Sequence, residues 1–174
     1  YVHDSVPETV KNTLKEMENV VLIERTGTIK PNRFMDWRFE PYDDPNVELF
    51  MSRDTDTRIL KREVLAVYEW INSDKKVHIM RDSPCHYPVM LGGMFGMKRN
   101  AIPSFNMKIE IERYFDHHDD DDQCFLKNVV HSRLDGADVM VHDEIKKYEE
   151  NCRNFPCEWN SDCRFVGGYV YEDE

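Results

Sequence analysis

Short apolar runs alternate with amphipathic segments along the chain, and this alternation limits what it can fold into. The runs predict strands at residues 20–23, 47–51, 77–80, 138–142 and 165–171, and residues 1–7 are predicted to contain the end of a further strand. The spacing of apolar residues predicts helices from Pro7, over 58–73, after Pro103 and from near Gln123. Strands that alternate with helices indicate an α/β sandwich whose central sheet is mostly parallel and is flanked by helices.

The length of 174 residues fits one domain with its own buried core. There is no internal repeat and no linker long enough to divide the chain, so we predict a single domain over residues 1–174. The sequence begins with Tyr1 rather than Met and enters at once into an apolar–polar alternation. We therefore expect a strand and a helix of the same domain to precede it.

The charge balance excludes two classes of partner. The chain has 23 basic and 34 acidic residues, a formal net charge of −11. Nonspecific binding to nucleic acid or to an anionic membrane needs a basic face, so neither is expected. The longest nearly apolar stretch, residues 89–97, is too short for a transmembrane helix, which needs about 20 residues.

The five cysteines are an odd number in a chain long enough to fold without disulfides. Cys85 and Cys124 stand alone in the sequence, which favours reduced thiols and a cytoplasmic location. Cys152, Cys157 and Cys163 cluster, but they lack the Cys-x-x-Cys spacing of a zinc knuckle. A disulfide within this trio and a structural zinc site both remain as alternatives.

The most informative motif is Arg-Asp-Thr-Asp-Thr-Arg at residues 53–58, just after the predicted strand 47–51. The carboxyl ends of strands are where α/β sheets hold their ligands. Asp54 and Asp56 are one residue apart, so on an extended chain both carboxylates point the same way and can face one Mg²⁺ or Mn²⁺ ion. The alternative is a solvated turn that caps the following helix.

A third metal ligand is expected from another strand end. His142 lies at the end of the predicted strand 138–142 and is placed for this role. The alternative is a histidine that only packs or hydrogen-bonds within the protein. In a protein this acidic, a bound cation would also solve the problem of holding a phosphate ester.

A longer stretch, residues 34–98, resembles a family of GT-A glycosyltransferases known from bacteria and large DNA viruses. The shared features are an Arg-Asp-x-Asp strand end, an Arg-Glu helix, a His-Ile-Met-Arg-Asp segment with a following histidine, and a Leu-Gly-Gly-Met loop. In this chain they are residues 53–56, 62–63, 78–82 with His86, and 91–94. The likeness continues in patches at residues 122–126, 141–143 and 165–167.

The resemblance implies a Rossmann-like GT-A domain that uses a nucleotide-sugar donor and Mn²⁺, or Mg²⁺. Asp54 and Asp56 would hold the metal on the donor diphosphate, and His142 would complete the protein ligands. Asp122 and Gln123 resemble the Asp-Gln pair that lies beside the anomeric carbon in related retaining enzymes.

The resemblance also assigns contacts to the donor. Gly92 and Gly93 would form a close wall under the sugars, since only glycine lets the backbone approach a ring so nearly. Arg81 and Asp82 would bind sugar hydroxyls, and Arg38 would lie near the diphosphate. The other residues assigned to nucleotide-sugar binding are Arg53, Thr55 and His86.

The function predicted from these residues is transfer of a hexose from a nucleoside diphosphate sugar, UDP-glucose first, to a carbohydrate acceptor. Asp122 and Gln123 favour retention of configuration, whereas inversion would need Asp82 or Asp122 as a general base. Two alternatives remain open. A phosphohydrolase or nucleotidyltransferase would use the same aspartates with a metal, and a noncatalytic carbohydrate-binding module would not need the metal.

Overall fold

A computed structural model of the protein describes residues 1–27, 31–158 and 164–170. The chain begins with a small parallel sheet of two strands, β1 (Val2–His3) and β2 (Glu24–Arg25), joined by helix α1 (Glu8–Lys15). This confirms the strand–helix–strand order expected for the opening. The second strand begins after the apolar run 20–23, in which Val21 is exposed to solvent.

The central sheet contains β3 (Leu49–Arg53), β4 (Val77–Arg81), β5 (Met94–Lys98) and β6 (Val139–Asp143), in the order β3-β5-β4-β6. β4 and β6 pair in parallel, whereas β5 is antiparallel to both of its neighbours. The sheet is thus mixed, where the sequence predicted a mostly parallel one. The reason is the connection over residues 82–93, which contains no crossover helix and turns the chain back so that β5 lies between β3 and β4.

β3, β4 and β6 still run in one direction, because β3 and β4 are both antiparallel to the strand between them. Their carboxyl ends therefore meet at one edge of the sheet. The segments that leave this edge begin at Asp54, Asp82 and Glu144. Open α/β sheets bind ligands at such an edge.

One face of the sheet carries the larger apolar core. Phe50, Ile79 and Phe95 lie in this core, which is covered by a 3₁₀-helical segment, Pro31–Asp43, and by two helices. The helices are α3 (Met107–Phe115), capped by the side chain of Asn106, and α4 (Asp122–Phe125), which continues as a π-helical turn, Leu126–Val130. The predicted helices after Pro103 and near Gln123 are confirmed.

The opposite face is covered by α2 (Lys61–Ile71), within the predicted helix 58–73. Trp70 of this helix is fully buried, and its ring stacks on the His78 ring with centroids 5.3 Å apart. A Cβ at Gly96 would lie 2.8 Å from the same indole, so the helix packs directly on the strand backbone. With helices on both faces, the predicted α/β arrangement is confirmed at the level of class.

The last described segment, residues 164–170, contains no strand, although the sequence predicts one over 165–171. A single antiparallel bridge joins Tyr169 to Thr57, and Val170 N–H donates to the Asp56 carbonyl at 2.8 Å. Tyr171 and Cys163 lie outside the described residues. Among the helices that are described, none is long and apolar enough to span a membrane.

Candidate active site

A cleft of about 380 Å³ lies at the edge where β3, β4 and β6 end. Asp54 and Asp56, which follow β3, line it together with Gly92, Gly93 and Gln123. The structure thus brings these five predicted residues into one cavity. Arg38 and His86, also predicted, line it too, whereas Thr55 does not.

Gly92 and Gly93 pack directly against two carboxylates. A Cβ at Gly93 would lie 2.1 Å from Oδ2 of Asp54, and one at Gly92 would lie 2.5 Å from Oδ2 of Asp122. Gln123 fixes the same wall, because its side-chain oxygen accepts from Gly92 N–H at 3.3 Å. No side chain fits at either glycine while the two acids keep their positions.

Arg38 connects the two carboxylates. Its guanidinium forms an ion pair with Oδ1 of Asp54, and Nη2 lies 3.4 Å from Oδ2 of Asp122. Burial raises the pKa of Asp122; Arg38 opposes this shift, and Asp121 and Asp54 add to it. Asp54, which lines the cleft, and Asp122, which packs against Gly92 and does not line it, therefore share one cation.

A further acid in this region, Asp36, is not among the residues predicted from the sequence. Asp36 is only 3% exposed, and within the described part of the chain neither of its carboxylate oxygens accepts a hydrogen bond, although Arg33 Nε lies 2.8 Å from Oδ2. Burial raises the pKa of Asp36 to about 7, with Asp122 adding to the shift and Arg33 and Arg38 opposing it. The signal in the sequence was an aspartate between Met35 and Trp37 in an otherwise aromatic stretch.

Arg81 and Asp82 do not face the cleft as donor-binding residues would. Arg81 is fully buried and pairs with Asp143 (Nε to Oδ2, 2.7 Å) and with Glu149. Asp82 accepts from Arg62 Nη2 at 2.9 Å through Oδ1, and from a backbone N–H at 2.9 Å through Oδ2. Charges this far from water need protein partners, so here both side chains hold the fold together.

The structure does not bring His142 to Asp54 and Asp56. Its side chain is fully buried on the face covered by α2, where Nδ1 lies 2.8 Å from Nε2 of His78 and Nε2 lies 3.3 Å from Oε2 of Glu69. Both ring nitrogens therefore have protein partners. Burial lowers the pKa of His142, and Glu69 opposes the shift.

Arg53 is also turned away from the cleft. Its Nε lies 2.5 Å from Oε1 of Glu63, and Nη1 donates to the Phe95 carbonyl at 3.1 Å. Arg62 and Glu63, at the start of α2, thus bind the ends of two strands. Glu63 pairs with Arg53 at the end of β3, and Arg62 pairs with Asp82, the residue after β4. These contacts hold the ends of β3 and β4 from the side that faces away from the cleft.

The cleft is lined by two carboxylates, which are hard oxygen ligands of the kind that divalent cations prefer. Among the residues that the structure describes, no three His, Cys, Asp or Glu side chains are arranged to hold a metal ion. Mg²⁺ is commonly bound by one or two carboxylates plus the phosphates of a substrate, and Mn²⁺ takes the same hard oxygen ligands. Asp54 and Asp56 supply that two-carboxylate set.

Comparisons of the chain with protein families, with curated proteins and with solved structures find no match. The function has to be argued from the geometry of the cleft.

Proposed function

We propose that the protein is a metal-dependent glycosyltransferase that transfers a hexose from a nucleoside diphosphate sugar to a carbohydrate acceptor. The observation that carries the proposal is the cleft itself. Asp54 and Asp56 enter it from the carboxyl end of β3, and Gly92 and Gly93 form a wall without side chains. Acids for a cation and a flat wall for a sugar ring are the two parts such a reaction needs.

Asp54 and Asp56 would hold Mn²⁺, or Mg²⁺, against the donor diphosphate. When bound, the metal supplies Lewis-acid stabilisation of the charge that develops on the departing diphosphate. The protein alone carries a formal net charge of −11, so a cation between its carboxylates and the phosphates also removes a repulsion. Arg38 pairs with Asp54 in the same cleft and would hydrogen-bond a phosphate oxygen.

In the transfer, the bond from the anomeric carbon to the diphosphate oxygen breaks, and the diphosphate leaves with the electron pair. The acceptor oxygen bonds to the anomeric carbon, and its proton passes to the departing diphosphate. Gln123 lines the cleft, where it would face the donor sugar, and Asp122 lies behind Gly92. If the reaction inverts instead, Asp122 is the better base, because both oxygens of Asp82 are engaged by Arg62 and by a backbone N–H.

The direct test is calorimetry of UDP and UDP-glucose with and without Mn²⁺. We expect binding that depends on the metal, and a loss of at least tenfold in affinity in Asp54→Asn and in Asp56→Asn, because each substitution removes an anionic ligand. Asp74→Asn is the matched control, since this substitution removes the same charge from a side chain that is 87% exposed.

Unchanged metal-dependent UDP binding in both cleft variants would contradict the proposal. Release of phosphate from the donor without any acceptor would instead indicate a phosphohydrolase or nucleotidyltransferase. Binding of a sugar without nucleotide or metal would indicate a noncatalytic module.

A second prediction concerns the close packing of the wall. In Gly93→Ala, the new methyl group must displace the Asp54 carboxylate, so we expect UDP affinity in the presence of Mn²⁺ to fall about tenfold. Stability should change little, because the Asp54 side chain is partly exposed and can rotate away. Gly136→Ala is the control, since a Cβ there meets no atom within 4 Å. Equal UDP affinity in the two variants would show that the contact does not position Asp54.

A further inference from the structure

The residues lining the cleft form two groups with different chemistry. The first holds the charges, Asp54 and Asp56 with Arg38. The second, here called the aromatic side, consists of Ser83, Cys85, His86, Phe165 and Tyr169, from the loop after β4 and from the last described segment. Among the described residues on the aromatic side there is no carboxylate and no permanent positive charge. The donor site proposed above uses the first group and the wall of Gly92 and Gly93, and no residue of the aromatic side.

His86 offers this side of the cleft one hydrogen-bond donor. The backbone N–H of Asp82 donates to Nδ1 of His86 at 2.9 Å, so the lone pair of Nδ1 is occupied and a neutral ring carries its proton on Nε2. Burial lowers the pKa of His86 to about 4, with Asp143 opposing and Arg81 adding to the shift, so the ring is neutral at pH 7. Within the described residues Nε2 has no hydrogen-bond partner.

The ring of His86 is also held in place. It lies edge-on to the ring of Phe165, with centroids 5.5 Å apart and an interplanar angle of 81°. Phe165 in turn belongs to a segment fixed by the hydrogen bond from Val166 N–H to Asp82 at 2.9 Å. The Nε2–H donor is therefore preorganised. The imidazole ring cannot act as a base through Nδ1, because the lone pair of Nδ1 is already occupied.

Tyr169 supplies an uncovered apolar surface. It lines the cleft, yet it is 67% exposed. Its backbone is fixed beside the acidic motif by the bridge to Thr57 and by the hydrogen bond from Val170 N–H to the Asp56 carbonyl at 2.8 Å. An aromatic ring held open in a cavity next to a metal-binding motif is suited to contact a ligand rather than the core.

We propose that the aromatic side of the cleft binds the acceptor, and that the acceptor is an uncharged sugar ring. A pyranose has an apolar face of C–H groups, which fits against Tyr169, and hydroxyl oxygens, one of which accepts from His86 Nε2–H. An amine acceptor would need a carboxylate here, and an anionic acceptor would be repelled by Asp54 and Asp56. The inference rests on the proposed function, because it assigns the second substrate of the same reaction.

The test uses the full chain and measures the two substrates separately. UDP binding with Mn²⁺ is measured first, without sugar. Methyl α-glucopyranoside, methyl α-galactopyranoside and methyl α-mannopyranoside are then titrated at saturating UDP and Mn²⁺, with calorimetry as the readout. We expect at least one of them to bind, and to slow the reaction of iodoacetamide with Cys85, the exposed thiol on the aromatic side.

Substitutions at Tyr169 and His86 test whether the sugar binds on the aromatic side. Tyr169→Ala should weaken sugar binding at least fivefold, and Tyr169→Phe, which keeps the ring, should stay within twofold of the native chain. His86→Leu should weaken binding about fivefold, and His86→Gln should recover part of the loss because its amide donates. Tyr68→Ala is the control, since Tyr68 is 61% exposed on α2 and does not line the cleft. UDP affinity should stay within twofold in both Tyr169 variants and in Tyr68→Ala.

The two proposals fail in different ways. If UDP binds with Mn²⁺ but none of the three glycosides binds, or if Tyr169→Ala binds sugar as the native chain does, the acceptor assignment is overturned and the proposed function stands. If UDP does not bind with Mn²⁺, the proposed function itself fails at the first measurement.

Discussion

Replacement of Arg81 by Met is expected to lower the free energy of unfolding by about 3–5 kcal/mol, the range for breaking a buried ion pair from one side. Arg81 and Asp143 are both fully buried, and Nε of the arginine lies 2.7 Å from Oδ2 of the aspartate. Arg81 also pairs with Glu149 and donates to the carbonyl of Val89. Met fills the volume but leaves the Asp143 carboxylate without its cation. Urea unfolding monitored by circular dichroism measures the loss.

Two further variants keep this prediction testable. Arg113→Met removes a more exposed arginine that pairs with Glu110, and it should cost less than about 1 kcal/mol. If Arg81→Met does not fold, Arg81→Lys keeps the charge without the planar fork and should fold with a smaller loss. A cost for Arg81→Met no greater than that of Arg113→Met would mean that the buried network does not stabilise the fold.

Replacement of Asp36 by Asn is expected to make the protein more stable at pH 8 by up to about 4 kcal/mol, since one pKa unit corresponds to about 1.4 kcal/mol. The pKa of Asp36 is about 7 in the folded chain, against an ordinary value of 3.8. Between these two values the folded state binds more protons than the unfolded state. The contribution of Asp36 to stability is therefore complete below about pH 4 and is lost as the pH rises through 7. Asn does not titrate, so the Asp36→Asn variant does not lose this stability as the pH rises.

The measurement is the difference in free energy of unfolding between Asp36→Asn and the native chain at pH 5, 6, 7 and 8. This difference should grow with pH and level off above 7. The His86 contribution has the opposite sign, because its lowered pKa removes stability as the pH falls from about 6.5 towards 4, but it is present in both proteins and cancels. Asp74→Asn should run parallel to the native chain. A difference for Asp36→Asn that does not vary with pH would contradict the assigned pKa.

Much of the central sheet could be predicted from local sequence. The runs 47–51, 77–80 and 138–142 became β3, β4 and β6 with shifts of two residues or fewer, because buried strands need continuous apolar side chains. β5 is not among the predicted strands, since its sequence Met-Phe-Gly-Met-Lys follows two glycines. Gly96 makes the segment less typical of a strand. The need for glycine follows only from the Trp70 ring, which packs so closely against Gly96 that a side chain would not fit.

The two acids of the Asp-Thr-Asp motif could be predicted from local sequence, and the ion pairs could not. Asp54 and Asp56 lie in the cleft because their spacing and their place after a strand are local properties, whereas Gly92, Gly93 and Gln123 were expected only from the family resemblance. Which charges turn inward depends on partners far along the chain. Asp82 pairs with an arginine 20 residues away, and among the described residues the nearest side-chain hydrogen-bond partner of His142 along the sequence is 64 residues away.

The antiparallel register of β3 and β5 has a consequence for how this cleft can change during evolution. Arg53 pairs with Met94, so the next step of the ladder places Asp54 opposite Gly93. Insertion or deletion of one residue in either strand would shift this pairing and turn the following side chains to the other face of the sheet. Homologous chains can therefore differ in the length of the loops around the cleft, whereas the number of residues from β3 to Asp54 and from Gly93 to β5 has to stay constant.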